Sequence, residues 1–452
     1  MKKIRLTLIA MGMMVSVASF MFTGCTKEGP AGPAGANGTN GTNGTNGIDG
    51  KDANETCKQC HTPAMVDRVA VEFQLSKHEW GTAAFEEAGN PGCDPCHTQK
   101  GYLYVVNNNT PTAFVFANGK WTNPYSADYA NAIGSIGCWT CHSSLHTTYG
   151  AADTALTTTA AVQMTMWGGA KTIDLPAKGG MGNLCAKCHQ PRPLTNGFDP
   201  AARLVNYDSL KNFPTALNYD STAGAQNHGV KPSYRMHVHY GVVSAVYAGQ
   251  GAVEFAPAGG LSYSNSPHTT VAACQDCHMA TPMYGIAGGH AFNMRNAKES
   301  ALGTGTTWNF AGCNQAGCHA AAPLDANSSK FKGTRTAVKT LLDQLATKIN
   351  AAGGGHDLLN RNADGATNLW AGITTNNYDG YLNIYDAASN PTGYWKMSGQ
   401  TQPKFPKLLN VQVGALINFQ FCLREYSLGI HNTQYVTALL TNSIAALNAA
   451  GL

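Results

Sequence analysis

Charge is scarce in this chain. Asp, Glu, Lys and Arg make up 12% of its 452 residues, with 30 bases against 26 acids and a formal charge of +4. That balance gives no reason to expect a nucleic-acid partner. Spare cysteine is scarcer still. Of 14 cysteines, 12 fall in one recurring pattern and only Cys25 and Cys422 stand outside it. A disulfide framework is thereby excluded as the organising principle, because it gives no reason for a His after every second Cys. A zinc framework would need cysteine pairs closing on each other, without that His.

The pattern is C-x-x-C-H. It occurs at Cys57/Cys60/His61, Cys93/Cys96/His97, Cys138/Cys141/His142, Cys185/Cys188/His189 and Cys274/Cys277/His278, here motifs one to five. A sixth, Cys313 and Cys318 with His319, has four residues between the cysteines. In such a motif two thiols form thioethers to haem vinyl groups and the following His becomes the proximal ligand of the iron. The spacing predicts six covalently bound c-type haems.

The ends speak to place. Met1-Lys2-Lys3-Ile4-Arg5 precedes an apolar run, Leu6 to Phe22, and then Thr23-Gly24-Cys25. A basic start, a short apolar stretch and small residues before a cut read as an export signal, residues 1–24, and not as a membrane span. Cys25 resembles the lipidated cysteine of a bacterial lipoprotein, although Phe22 stands where that motif prefers Leu. The resemblance implies an outer-membrane lipoprotein facing periplasm or exterior. Glycine recurs every third residue from Gly29 to Gly50, the collagen period, but only Pro30 and Pro33 supply imino acid. Residues 25–52 read as a hydrophilic spacer, with a weak trimeric stalk as the sharper alternative. Without residues 1–24 the bases fall from 30 to 27 against 26 acids, and haem propionates would make the holoprotein acidic.

The remaining chain divides into a multihaem region, 53–325, and a C-terminal helical segment, 326–452, that contributes a distal His. The expected fold is mainly α, with much irregular chain packed around haems and a minor β-hairpin. Helical spacing of Val66, Val69 and Phe73 predicts a helix over 65–78. A hairpin is expected from Tyr102–Val106 and Ala113–Ala117, closed by Asn118-Gly119. Val338, Leu341, Leu342, Leu345 and Ile349 predict a helix over Thr334–Ala351, with two more between Phe405 and Leu447. Residues 150–185 and 191–265 show few clear periods. Cys422, in an apolar helical run, reads as a buried thiol.

Fifteen histidines less six proximal ones leave nine: His78, His146, His228, His237, His239, His268, His290, His356 and His431. Motif one followed by Phe73-Gln74-Leu75-Ser76-Lys77-His78 resembles the opening of nitrifier-type tetrahaem cytochromes. Cys138–His142 followed by His146 is similar to their C-x-x-C-H-x-x-x-H segment. Ser266-Pro267-His268, then motif five, then Gly289-His290-Ala291-Phe292 resembles a block of octahaem tetrathionate reductases and hydroxylamine-oxidoreductase-like proteins. Ser427-Leu428-Gly429-Ile430-His431-Asn432 is similar to their C-terminal S-x-G-x-H-N. The resemblance implies distal ligation by His78, His146, His268, His290 and His431, with one of His237 and His239 as the sixth. Alternating positions on an extended segment point opposite ways, and His239 is preferred. His228 and His356 read as ordinary histidines.

The C-x-x-C-K that marks the catalytic haem of the tetrathionate and pentahaem nitrite reductases is absent. Six irons each holding two histidines exchange electrons but bind no substrate. The leading expectation is a non-enzymatic electron conduit serving other redox proteins and an extracellular acceptor, tied to the membrane by its lipid. The alternatives are a reductase or oxidase of small nitrogen or sulfur compounds, which needs an open iron position, and a subunit of a cytochrome filament.

Overall fold

The computed structural model describes residues 63–80, 93–107, 115–117, 120–122, 136–143, 155–194, 205–220, 238–283, 286–296, 307–351, 358–361, 378–382 and 407–452. All of them lie in one compact unit, Ala53–Leu452. They are about half helical, with small two-stranded antiparallel sheets and irregular chain between. The mainly helical class therefore holds in this coarse form. Among the described residues no helix is long and apolar enough to cross a membrane.

Helix α1, Pro63–Gln74, begins with proline, whose fixed φ and missing N–H suit a first helical position. The expected helix over 65–78 is really two pieces. After Gln74 the chain turns through Leu75 and Ser76 and restarts as the short helix Lys77–Trp80, which carries His78. The Ser76 hydroxyl accepts the Glu79 N–H at 3.3 Å, the cap that a new helix start requires.

The expected hairpin needs correction. Tyr102–Val106 is not a strand; it belongs to helix α2, Gln99–Asn107, which buries Gly101, Tyr102 and Val105. Burial at a spacing of three, and not two, decides the element. The hairpin is shorter and lies later. Val115–Ala117 pairs antiparallel with Lys120–Thr122, Phe116 opposite Trp121, on either side of the Asn118-Gly119 turn signal.

Three long helices form the base of the core. Helix α3, Thr334–Ala351, buries Val338, Leu342, Leu345 and Ile349 on one face. Helix α4, Asn410–Arg424, is buried along its whole length, including Cys422. Helix α5, Thr433–Ala449, packs on both. A helix buried all round must satisfy its polar residues internally. Asn418 does so by accepting the Val253 N–H at 2.8 Å and donating to Val253 O at 2.6 Å and Ser443 Oγ at 2.9 Å. The segments with few clear periods supply much of the remaining core, through Val162, Met164, Met166, Ile173, Leu175, Val242 and Val246. Each large apolar side chain buried there contributes about 1.5–3 kcal/mol.

Candidate functional site

Each described motif folds into one tight turn that brings its His beneath its first Cys. The His97 N–H donates to Cys93 O at 3.1 Å, His142 to Cys138 O at 2.9 Å and His189 to Cys185 O at 2.9 Å. Motif five forms the short helix Cys274–His278. Motif six closes the same bond despite two extra residues, His319 N–H to Cys313 O at 3.0 Å. Gly317 accommodates the longer loop at φ +82°, a conformation that side-chain-bearing residues rarely adopt.

Five distal candidates are described, and each one faces a different motif histidine. The ring centres lie 6.0 Å apart for His78 and His189, 6.2 Å for His97 and His239, and 6.5 Å for His142 and His290. They lie 6.2 Å apart for His268 and His319 and 6.1 Å for His278 and His431. Two imidazoles on opposite sides of one metal, at about 2 Å per metal–nitrogen bond and about 1 Å from nitrogen to ring centre, stand about 6 Å apart. The residues therefore fit an iron between each pair. Cys25, Cys57, Cys60, His61, His146, His228, His237 and His356 lie outside the described residues.

Several of these rings are oriented by a second bond. His278 Nδ1 lies 2.8 Å from Phe292 O and His268 Nδ1 3.3 Å from Ile430 O. A carbonyl only accepts, so Nδ1 carries the proton and the Nε2 lone pair is left for a metal. His431 Nδ1 lies 2.7 Å from Glu425 Oε2. The buried Glu425 carboxylate also accepts from Ser427 Oγ at 2.5 Å and from the Gly429 N–H at 2.7 Å. Tyr426, Leu428 and Gly429 all have positive φ, and Glu425 holds together the strained turn that presents His431. Glu72 of α1 accepts the His290 N–H at 3.0 Å.

The S-P-H and H-N segments are stapled to each other. Asn432 accepts the Ser266 N–H at 3.0 Å and donates to Val246 O at 3.0 Å, and the Gln434 N–H donates to Ser266 Oγ at 3.2 Å. One asparagine thus fixes the loops bearing both His268 and His431.

Burial sets the protonation of these rings. It pushes His189 down to about 3, with the neighbouring histidines adding to the effect, and it lowers His78, His239, His278 and His290 as well. All five are held neutral at pH 7, as an axial ligand must be. Burial also opposes charge on His431, but the Glu425 carboxylate outweighs it and raises the pKa.

A cavity lies between the halves of the second pair, lined by Cys93, Cys96, His97, Cys188, Arg192 and His239. It brings both thiols of motif two, its motif histidine and the facing His239 to one space, with a guanidinium suited to a carboxylate. Among the described residues no group of three or more His, Cys, Asp or Glu converges as a conventional metal site. Glu425 and Glu72 were not legible as site residues, because neither stands in a haem motif and their importance comes from burial against histidines 6 and 218 positions away. Comparison of the chain with family models, curated proteins and solved structures finds no match in any of the three.

Proposed function

We propose that the chain is a hexahaem c-type cytochrome that conducts electrons and performs no chemistry on a substrate. The observation that carries this reading is the matching of five motif histidines with five facing histidines at 6.0–6.5 Å. Haem supplies a one-electron ferric/ferrous couple at each site. The two histidines of each pair would hold the iron from both sides and so would leave no position for a small molecule, and the paired cysteines would hold the haem covalently. The bonds to Phe292 O, Ile430 O and Glu425 hold the rings against rotation.

With five pairs formed, His61 is the one proximal ligand left over and His146 is its proposed partner. His146 follows motif three by four residues, as the resemblance to the tetrahaem and octahaem group implies. His239, rather than His237, serves motif two. The apparent lipid at Cys25 and the hydrophilic spacer fit a cytochrome held at the outer membrane and exchanging electrons with other redox proteins or an extracellular acceptor.

Intact mass and ferric EPR test the reading together. Six haem increments, low-spin signals throughout, negligible carbon monoxide binding and negligible turnover of nitrite, hydroxylamine or tetrathionate are expected. A substantial five-coordinate fraction with steady turnover of one of those compounds would replace the conduit with an enzyme.

A further inference from the structure

Thiol contacts between different motifs converge on motif four. Cys96 of motif two and Cys188 of motif four share a hydrogen bond, and Cys96 Sγ also lies 3.8 Å from Lys187 O. Cys185 of motif four shares another with Cys274 of motif five. Gly182 lies beside this contact: a Cβ there would stand 3.5 Å from Cys274 Sγ, an ordinary contact distance, and 3.3 Å from Leu175. Cys141 of motif three lies close enough to interact electrostatically with both Cys185 and Cys188.

Tyr102 bridges the same three thiols from α2. Its buried hydroxyl stands among Cys141, Cys185 and Cys188 and bonds Thr157 Oγ1 at 3.4 Å, while the Thr157 N–H donates to Cys141 O at 2.9 Å. Among the histidines, His189 has, besides its partner His78, His97 of motif two and the motif-five pair His278 and His431 as near neighbours. Motif five in turn meets motif six, since Cys277 interacts with Cys313, and Gly312 packs its backbone against the Cys277 backbone.

Resting on the cytochrome reading, we propose that the segment Cys185–His189 is a three-way junction of the electron path, where arms through motifs two, three and five meet. A thioether sulfur is attached one carbon away from the conjugated ring, so cysteines in contact set two ring edges side by side, the arrangement that favours electron exchange. The array then branches and does not run in single file. Among the described residues, one arm leads through motif five to motif six, a second reaches motif three and the third reaches motif two. A single file serves one donor and one acceptor, whereas this arrangement offers a third terminus for another one-electron partner.

Iron positions in the holoprotein, located by anomalous diffraction at the iron edge, test the junction. The iron between His189 and His78 should have those of motifs two, three and five as immediate neighbours, with that of motif six one step further away. An array in which it has two or fewer immediate neighbours overturns the junction. Failure of the cytochrome reading would look different: no iron between the paired histidines and no haem increments in the mass. A second measurement uses His78→Met, which should raise the motif-four potential so that this site is reduced first. Its reduction removes one positive charge, so three other potentials should shift downward while that of motif six stays in place. A shift of motif six as large as that of motif two would also overturn the proposal.

Discussion

Replacing Glu425 by Gln should raise one of the six reduction potentials and leave the others in place. Glu425 is 1% exposed and binds His431 Nδ1 at 2.7 Å, so its charge would act on an iron held by the far side of that ring, as the cytochrome reading proposes. Adding about 2 Å across the ring and about 2 Å to the metal puts the carboxylate roughly 6–7 Å from the iron. At an effective dielectric of about 20, a full charge at that distance is worth about 2.5 kcal/mol, or roughly 100 mV for a one-electron couple. The negative charge favours ferric iron, so its removal shifts the potential upward. Gln preserves the shape but cannot accept all three bonds that Glu425 now accepts, which adds about 1–3 kcal/mol of destabilisation. Spectroelectrochemical titration with EPR assignment of each low-spin signal is the assay. If every potential stays within about 20 mV of the parent, with six haems and low-spin signals intact, the argued electrostatic link between Glu425 and the iron is wrong.

Cys25→Ala should be released from membranes by mild washing, because it lacks the proposed lipid attachment; retention as tight as the parent's would remove the anchor. His290→Met should raise a single potential, that of motif three, since thioether ligation favours ferrous iron, and an unchanged titration would strike His290 from the ligands. Asn432→Ala removes the bonds that staple the Ser266 loop to α5, so a loss of about 2–4 kcal/mol is expected in thermal or denaturant unfolding, with weakened low-spin signals for the sites of His268 and His431. Gly317→Val places a β-branched residue at φ +82° and should reduce the haem count from six to five by intact mass.

The parts that could be read from sequence carried their own signal. Helix α3 could be placed end to end because Val338, Leu342, Leu345 and Ile349 repeat with helical spacing and meet a core. The motif cysteines and histidines were equally visible, since their spacing recurs along the chain. The run Tyr102–Val106 misled because five consecutive β-formers and apolar residues look alike in either element until the buried face is known; Tyr102 and Val105, three apart, settle it as helix. Residues 155–175 and 238–255 show little periodicity because they are buried as extended chain, short turns and a helix of only six residues, Val243–Ala248, and not as one face of one long element. Glu425 was out of reach for another reason. A carboxylate six residues before a histidine means nothing until a turn with left-handed positions at Tyr426, Leu428 and Gly429 folds one back onto the other.

On the proposed reading, the pairing of distant histidines would give the haems a structural task as well. The facing partners are His78 with His189, His97 with His239, His142 with His290, His268 with His319 and His278 with His431, so four of the five reach across more than a hundred residues of chain. A metal ligated from both ends of such a loop restrains the unfolded chain much as a disulfide does, by about 4–5 kcal/mol for loops of this length in the chain-entropy account. Thioethers would make the near end permanent, so each iron–histidine bond would be an intramolecular closure and not a binding event from solution. Overlapping loops share the same restraint and their contributions do not add. Even so, the closures would restrain Lys77–Trp80, the short motif turns and the α4–α5 connection. These short segments have little apolar surface of their own with which to hold those positions. On the proposed reading, the ligand pairs that would keep substrates off an iron would also hold the irregular half of the chain in place, so that loss of one ligand would cost fold as well as potential.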